Sequence, residues 1–129
     1  MLIFTNNAIS PLFQAVAATD SIIYVDPARS VLFPNPVHDE DYFLITLEAA
    51  DFSRREIIKI NSRSGNALHV GQRGYEGTSA QNWAVEDTIC DHRATAGTLS
   101  AFLQHHSKRD YEIGASQTLD VPKTPKPLA

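Results

Sequence analysis

Three short runs of β-branched and aromatic residues stand in the middle of the chain: Tyr42-Phe43-Leu44-Ile45-Thr46-Leu47, Arg55-Glu56-Ile57-Ile58-Lys59-Ile60 and Ala67-Leu68-His69-Val70. Runs of this length suit strands and are short for helices, because branched side chains pack well on a pleated surface. Glu48 to Arg54 leaves room for a longer hairpin loop between the first two, and Ser64-Gly65-Asn66 tolerates the positive φ of a tight turn before the third. An antiparallel meander follows. On the second run Ile58 and Ile60 share a face with Glu56, while Ile57 shares the other with Arg55 and Lys59, so one face is expected to be wetter.

Around this nucleus the pattern adds a strand over Ser21 to Val25, bounded by Asp20 and by Asp26-Pro27, and a short closing strand within Asp87 to His92. Leu32 to Asp41 carries two prolines and reads as loop. The glycine-punctuated stretch from Gly71 to Trp83 also reads as loop, with Gly74, Gly77 and Thr78 shaping turns that let Trp83 fold back over the sheet. Arg73 and Glu76 are expected to pair within it. Cys90 reads as a small buried hydrophobe on a strand, with no second cysteine to bridge to.

Two segments carry helical spacing. Ile9, Leu12, Phe13 and Val16 recur at that period behind Ser10-Pro11, which reads as a cap and a first-turn proline, so the residues alone favour a short helix within Asn6 to Thr19. Residues 94–106 predict a short amphipathic helix with Leu99, Phe102 and Leu103 on its apolar face and Thr95 or Thr98 as the cap. From 107 to 129 polar residues dominate, and Pro122, Pro125 and Pro127 exclude ladder and helix, leaving an extended tail ordered only where a partner holds it. The expected fold is mainly β: a small antiparallel β-sandwich or barrel-like module over 1–93, then the short helix and the proline-rich tail.

A length of 129 residues fits one core. Eleven Lys and Arg against fifteen Asp and Glu, with no dense basic cluster, argue against nucleic acid. The opening MLIFTNNAIS has no positively charged start and its apolar run breaks at Thr5, so neither a signal peptide nor membrane insertion is expected, and assembly in a cytoplasm is. GQRGYEGT lacks the Gly-Lys-Ser/Thr ending of a phosphate loop. His92, His105 and His106 beside Asp91 lack usual metal-ligand spacing, and His38-Asp39-Glu40-Asp41 lacks the alternation of a calcium loop. No nucleophile elbow surrounds any serine or cysteine. The expectation is a protein that is not an enzyme and has no cofactor. Tyr24, Tyr42, Tyr75 and Trp83 supply the alternative, a glycan-binding receptor-recognition module that stacks sugars on exposed rings.

The residues by themselves stop at a β-rich module. The ordered series Asn6-Asn7-Ala8, Thr19-Asp20-Ser21-Ile22-Ile23, Leu32-Phe33-Pro34, Phe43 to Leu47, Arg55 to Ile60, Arg63-Ser64-Gly65-Asn66, Gln72-Arg73-Gly74-Tyr75-Glu76-Gly77-Thr78 and Ala80-Gln81-Asn82-Trp83 resembles the N-terminal domain of phage and prophage tail-fibre or tail-associated proteins. The likeness covers roughly residues 5 to 100, with Glu86-Asp87 where that pattern has Gly-Asp. It implies a compact β module that attaches to a tailed-phage virion, through other phage structural proteins and as a homo-oligomer, a trimer being expected. The chain ends soon after Thr95-Ala96-Gly97-Thr98-Leu99, which favours a docking or adaptor subunit of tail, tail fibre, baseplate or collar. Under this likeness Leu99, Phe102, Leu103, Pro122, Pro125 and Pro127 would contact partners, and Arg73, Gly74, Glu76, Gly77, Thr78 and Trp83 would form a structural loop. The same likeness is extended where the spacing reads as helix, so a strand is kept for residues 8–18.

Overall fold

The structure, a computed structural model, describes residues 1–100. Contacts divide the chain after Arg93. The first unit, Met1–Arg93, contains six strands: β1 (Ile9–Pro11), β2 (Ile22–Tyr24), β3 (Phe43–Ala49), β4 (Arg55–Ser64), β5 (Ala67–Tyr75) and β6 (Thr88–Asp91). They form one antiparallel sheet in the order β1-β6-β3-β4-β5-β2. Of the two expected architectures the barrel-like one is therefore found. The sheet curls until its edges meet: Leu12, just past β1, bridges Val25, just past β2, and the Phe13 N–H donates to the Tyr24 carbonyl at 2.8 Å. Meeting edges leave fewer unpaired backbone groups for stray strands to pair with.

The meander is the expected one, with longer strands. In β3 and β4 Phe43 stands opposite Ile60, Ile45 opposite Ile58 and Leu47 opposite Glu56. This register puts Phe43, Ile45, Leu47, Ile58 and Ile60 into one core with Ile23, Val25, Phe33, Leu68, Trp83 and Cys90. Gly65, at φ 60°, turns β4 into β5 in a two-residue loop, a position where a side chain would be strained.

Two expectations about the backbone are corrected. Residues 9–16 form no helix: burial alternates with period two, Ala8, Ser10 and Leu12 inside and Ile9, Pro11 and Phe13 outside. Of the strand kept from the resemblance for residues 8–18, Ile9–Pro11 is found, with single bridges at Leu12 and Val16. Ser10 hides this alternation in the sequence, because it is polar yet buried; its hydroxyl accepts from the Asp26 N–H at 3.0 Å and donates to the Pro11 carbonyl at 2.7 Å. The stretch from Gly71 to Tyr75 is likewise no loop. It continues β5, with register shifts between Ile57 and Lys59 and again between Lys59 and Ile60 that place extra residues on the β5 side. Bulges of this kind bend a strand and sharpen its twist, which helps so short a sheet to curl.

Of the second unit, 94–100 is described, and 96–100 is helical. Thr95 caps it: its hydroxyl accepts from the Thr98 N–H at 3.1 Å and its carbonyl accepts from the Leu99 N–H at 3.0 Å. Leu99 is exposed. Phe102, Leu103, the remainder of the expected helix through 106, and the tail with Pro122, Pro125 and Pro127 lie outside the described residues.

Candidate functional site

Strand alternation sends Glu56 inward with Ile58 and Ile60, and its carboxylate is completely buried, with 0% exposure. A bare buried carboxylate would cost several kcal/mol, so the chain around it is organised to supply donors. Five reach it. Arg73 Nε donates to Oε2 at 2.8 Å and an Arg73 terminal nitrogen to Oε1 at 3.0 Å. The Gly74 N–H donates to Oε2 at 2.9 Å, the Gln81 N–H to Oε1 at 3.1 Å and the Trp83 indole N–H to Oε1 at 3.0 Å. Burial on its own raises the carboxyl pKa; the donors, led by Arg73 and then Trp83, outweigh it and hold the group below the ordinary glutamate range.

The partner expected for Arg73 is corrected. It pairs with Glu56, one strand away, and its guanidinium also donates to the carbonyls of Ala17 at 2.6 Å, Asp20 at 3.1 Å and Gln81 at 2.9 Å. Glu76 contributes a turn residue with φ 53°. Gly74 and Gly77 take positive φ, 56° and 83°. At Gly74 an added Cβ would meet the Thr78 carbonyl at 2.8 Å, so a glycine is needed twice over. The Thr78 hydroxyl accepts from the Ile57 N–H at 3.0 Å and donates to the Tyr75 carbonyl at 2.7 Å, closing this turn against β4. Gly77 and Thr78 thus shape the turn, while Arg73, Gly74 and Trp83 are brought together around Glu56, the residue the sequence reading left out of the set. Its signal was visible: a glutamate in phase with two isoleucines on a strand face.

Trp83 is the anchor expected of it. It exchanges backbone hydrogen bonds with Val16, at 2.7 and 2.9 Å, its N–H is taken by Glu56, and the Arg54 guanidinium lies 4.2 Å from its ring centroid. At 2% exposure, with its polar edge and a face engaged, it offers no stacking surface to a sugar. Tyr42 is covered instead by the Lys59 ammonium, 4.5 Å from its ring. Both carboxylate oxygens of Glu56 and all three guanidinium nitrogens of Arg73 are engaged in holding strands and loops, which makes the cluster a structural clasp.

Other candidates fall into place singly. Cys90 is buried on β6 opposite Leu47, and burial pushes its thiol far above the ordinary range. Asp39, Glu40 and Asp41 lie on the exposed or half-buried loop before β3. Among the described residues no group of three or more His, Cys, Asp or Glu could hold a metal ion, and no helix is long and apolar enough to cross a membrane.

The surface also presents large apolar side chains. Ile9 and Phe13, 39% and 54% exposed, point outward from the β1 segment on either side of Pro11, and Pro11 stands opposite Ile89, itself 39% exposed, on β6. These four residues form a stripe across two neighbouring strands. Neither a protein-family model nor a curated protein sequence matches the chain.

Proposed function

We propose that this chain is a structural protein of a tailed-phage virion, a docking or adaptor subunit of the tail, tail fibre, baseplate or collar, acting as a homo-oligomer through contacts with other phage proteins. The observation that carries the reading is the outward stripe of Ile9, Pro11, Phe13 and Ile89 on a strand pair whose opposite face is already committed to the core. Contiguous apolar surface costs free energy in water and is characteristic of contact surfaces. The resemblance of the Arg55 to Ile60 strand, the Arg63 to Asn66 turn and the Arg73 to Thr78 loop to tail-fibre attachment domains says which kind of contact. The clasp at Glu56 supports the same reading, since a buried carboxylate with five donors ties its strands and loops into a firm body.

Mass spectrometry and reconstruction of purified virions test it. The chain is expected in stoichiometric copy, with Phe13→Asp and Ile89→Lys each reducing incorporation while the isolated subunit keeps its melting temperature. Deleting 107–129 should leave a soluble module that incorporates poorly, which would place the proline-rich segment in the contact. Virions that lack the chain would sink the proposal. Selective binding on a glycan array, lost on Tyr75→Ala with the fold intact, would replace it by the receptor-recognition reading.

A further inference from the structure

The N-terminal segment lies as a strap beside the barrel. Leu2 bridges Tyr42, the Ile3 N–H donates to the Tyr42 carbonyl at 2.9 Å, the Tyr42 N–H donates to the Met1 carbonyl at 3.0 Å, and Ile3 packs on the core. Its inner end is fastened to His92, the residue that follows β6. The His92 Nδ1 stands 2.7 Å from the Leu44 carbonyl, and the Thr5 N–H donates to Nε2 at 3.3 Å. A carbonyl can only accept and a backbone N–H can only donate, so the imidazole is neutral, with its proton on Nδ1 and its lone pair on Nε2 facing Thr5. The ring is buried between Phe4, centroid 5.5 Å away, and Phe43, at 5.6 Å and edge-on.

We propose that His92 is an acid-sensitive latch for this strap: a proton added at Nε2 meets the Thr5 N–H head-on and removes one of the two acceptors at its inner end, leaving the bond from the Thr5 hydroxyl to the Leu32 carbonyl at 2.5 Å, so that residues 1–5 loosen from the core on which Ile3 packs. The charged groups around the ring are few. Asp91 precedes it and favours the imidazolium, but its carboxylate is shared with Arg93 at 3.1 Å, and Arg93 is also held by Glu48 at 2.9 Å. Leu2, Ile3, Phe4 and Thr5 on the strap, Phe43 and Leu44 on β3 and Ala8, whose carbonyl accepts from the His92 N–H, bring no titratable group. The Met1 ammonium pairs with Asp41 at the far end of the strap. Burial is the largest influence and lowers the His92 pKa, ahead of the Leu44 bond and Asp91, which raise it. The closed form therefore has the lower pKa and the released form the ordinary one. Closure is complete above about pH 6.5 and weakens as pH falls below that, by at most about tenfold per unit, until the closed form itself titrates.

Hydrogen exchange of the full chain at about pH 7.5 and about pH 5, corrected for intrinsic rates, reads this directly. The amides of Ile3, Thr5 and Tyr42 are expected to exchange several-fold faster at the lower pH, while Ile45 and Ile58 in the β3–β4 ladder keep their protection. His92→Phe keeps an aromatic ring between Phe4 and Phe43 and should abolish the pH dependence of the strap. In the native chain the His92 imidazole should titrate by NMR below a solvated histidine. Strap amides indifferent to pH, strap and ladder amides rising together, a pH response that survives His92→Phe, or a His92 titration at or above the ordinary value would each overturn the latch.

Discussion

Replacing Glu56 by glutamine keeps the shape of the side chain and removes its charge, and the structure says where the loss falls. The carboxylate accepts five hydrogen bonds, from Arg73 twice and from Gly74, Gln81 and Trp83. An amide has one acceptor oxygen, and its NH2 group must turn toward at least two of those donors. Arg73, whose side chain is nearly buried, would lose its counter-ion as well. Breaking one side of a buried ion pair costs about 3 to 5 kcal/mol, and each orphaned buried donor about 1 to 3, terms that overlap here because the donors are shared. A loss of about 3 to 5 kcal/mol is expected, a large part of the roughly 5 to 15 kcal/mol that holds a domain together. At about 4 to 8 °C per kcal/mol this lowers the melting temperature by about 12 to 40 °C. Urea unfolding followed by Trp83 fluorescence is the assay, since the indole donates to the mutated group. Arg73→Met should cost a similar amount, and the double variant with Glu56→Leu should show a coupling of at least about 1 kcal/mol. A loss below about 1 kcal/mol for Glu56→Gln, or additive single variants, would refute the claim that the clasp is what holds the 71–83 segment to β4.

Four further outcomes follow from the same geometry. Glu56 and Glu48 both have lowered pKa values, the latter chiefly through its bond from Arg93 and then Arg55 against burial, so their contribution is complete above about pH 4.3 and is lost as pH falls through the folded values; urea midpoints should drop below that pH, less steeply in Glu56→Gln. Gly74→Ala combines positive φ with a backbone clash and should cost more than Gly65→Ala, where the added Cβ meets open space and the φ strain alone costs about 1 kcal/mol; paired thermal melts compare them. Cys90 should resist thiol reagents in the native chain and react at the rate of opening, as a stopped-flow thiol assay across urea concentrations would show; rapid reaction in native buffer would contradict its burial. Ser10→Ala leaves the Asp26 N–H without its acceptor where the edges of the sheet meet and should cost about 1 to 3 kcal/mol by urea titration.

How much of this was legible depends on whether the deciding partner is near in sequence. The β3–β4–β5 meander was readable because each run carries its own alternation and Ser64-Gly65-Asn66 its own turn chemistry. The helix expected over Ile9, Leu12, Phe13 and Val16 failed because the apolar residues of β1 lie on both faces, Leu12 inward and Ile9 and Phe13 outward, while the polar Ser10 is inside. A period can be read only if the two faces differ in polarity. The same surplus of apolar residues that spoiled the reading is the exposed stripe proposed as the docking surface.

Arg73 makes the complementary point. Pairing it with Glu76 followed proximity along the chain, yet an extra residue between Gln72 and Tyr75 re-aims the guanidinium toward Glu56, 17 residues away. Bulge positions are set by tertiary closure, and the glycines that permit them look like loop in one dimension. The bulge, the bidentate arginine and the tryptophan form one unit: without the extra residue Arg73 could not face inward, and without Arg73 the inward glutamate would be an uncompensated charge. A strand bearing a glutamate in phase with its buried isoleucines, followed by Arg-Gly and then Trp, therefore encodes a clasp more than it encodes any of its parts. The shared recipients of Arg73, Ala17, Asp20 and Gln81, are the loops that lead into β2 and β6, so this one centre ties both loops to β5. That rigidity would serve the proposed attachment role, because a docking surface that must first order itself spends part of its binding energy on the ordering.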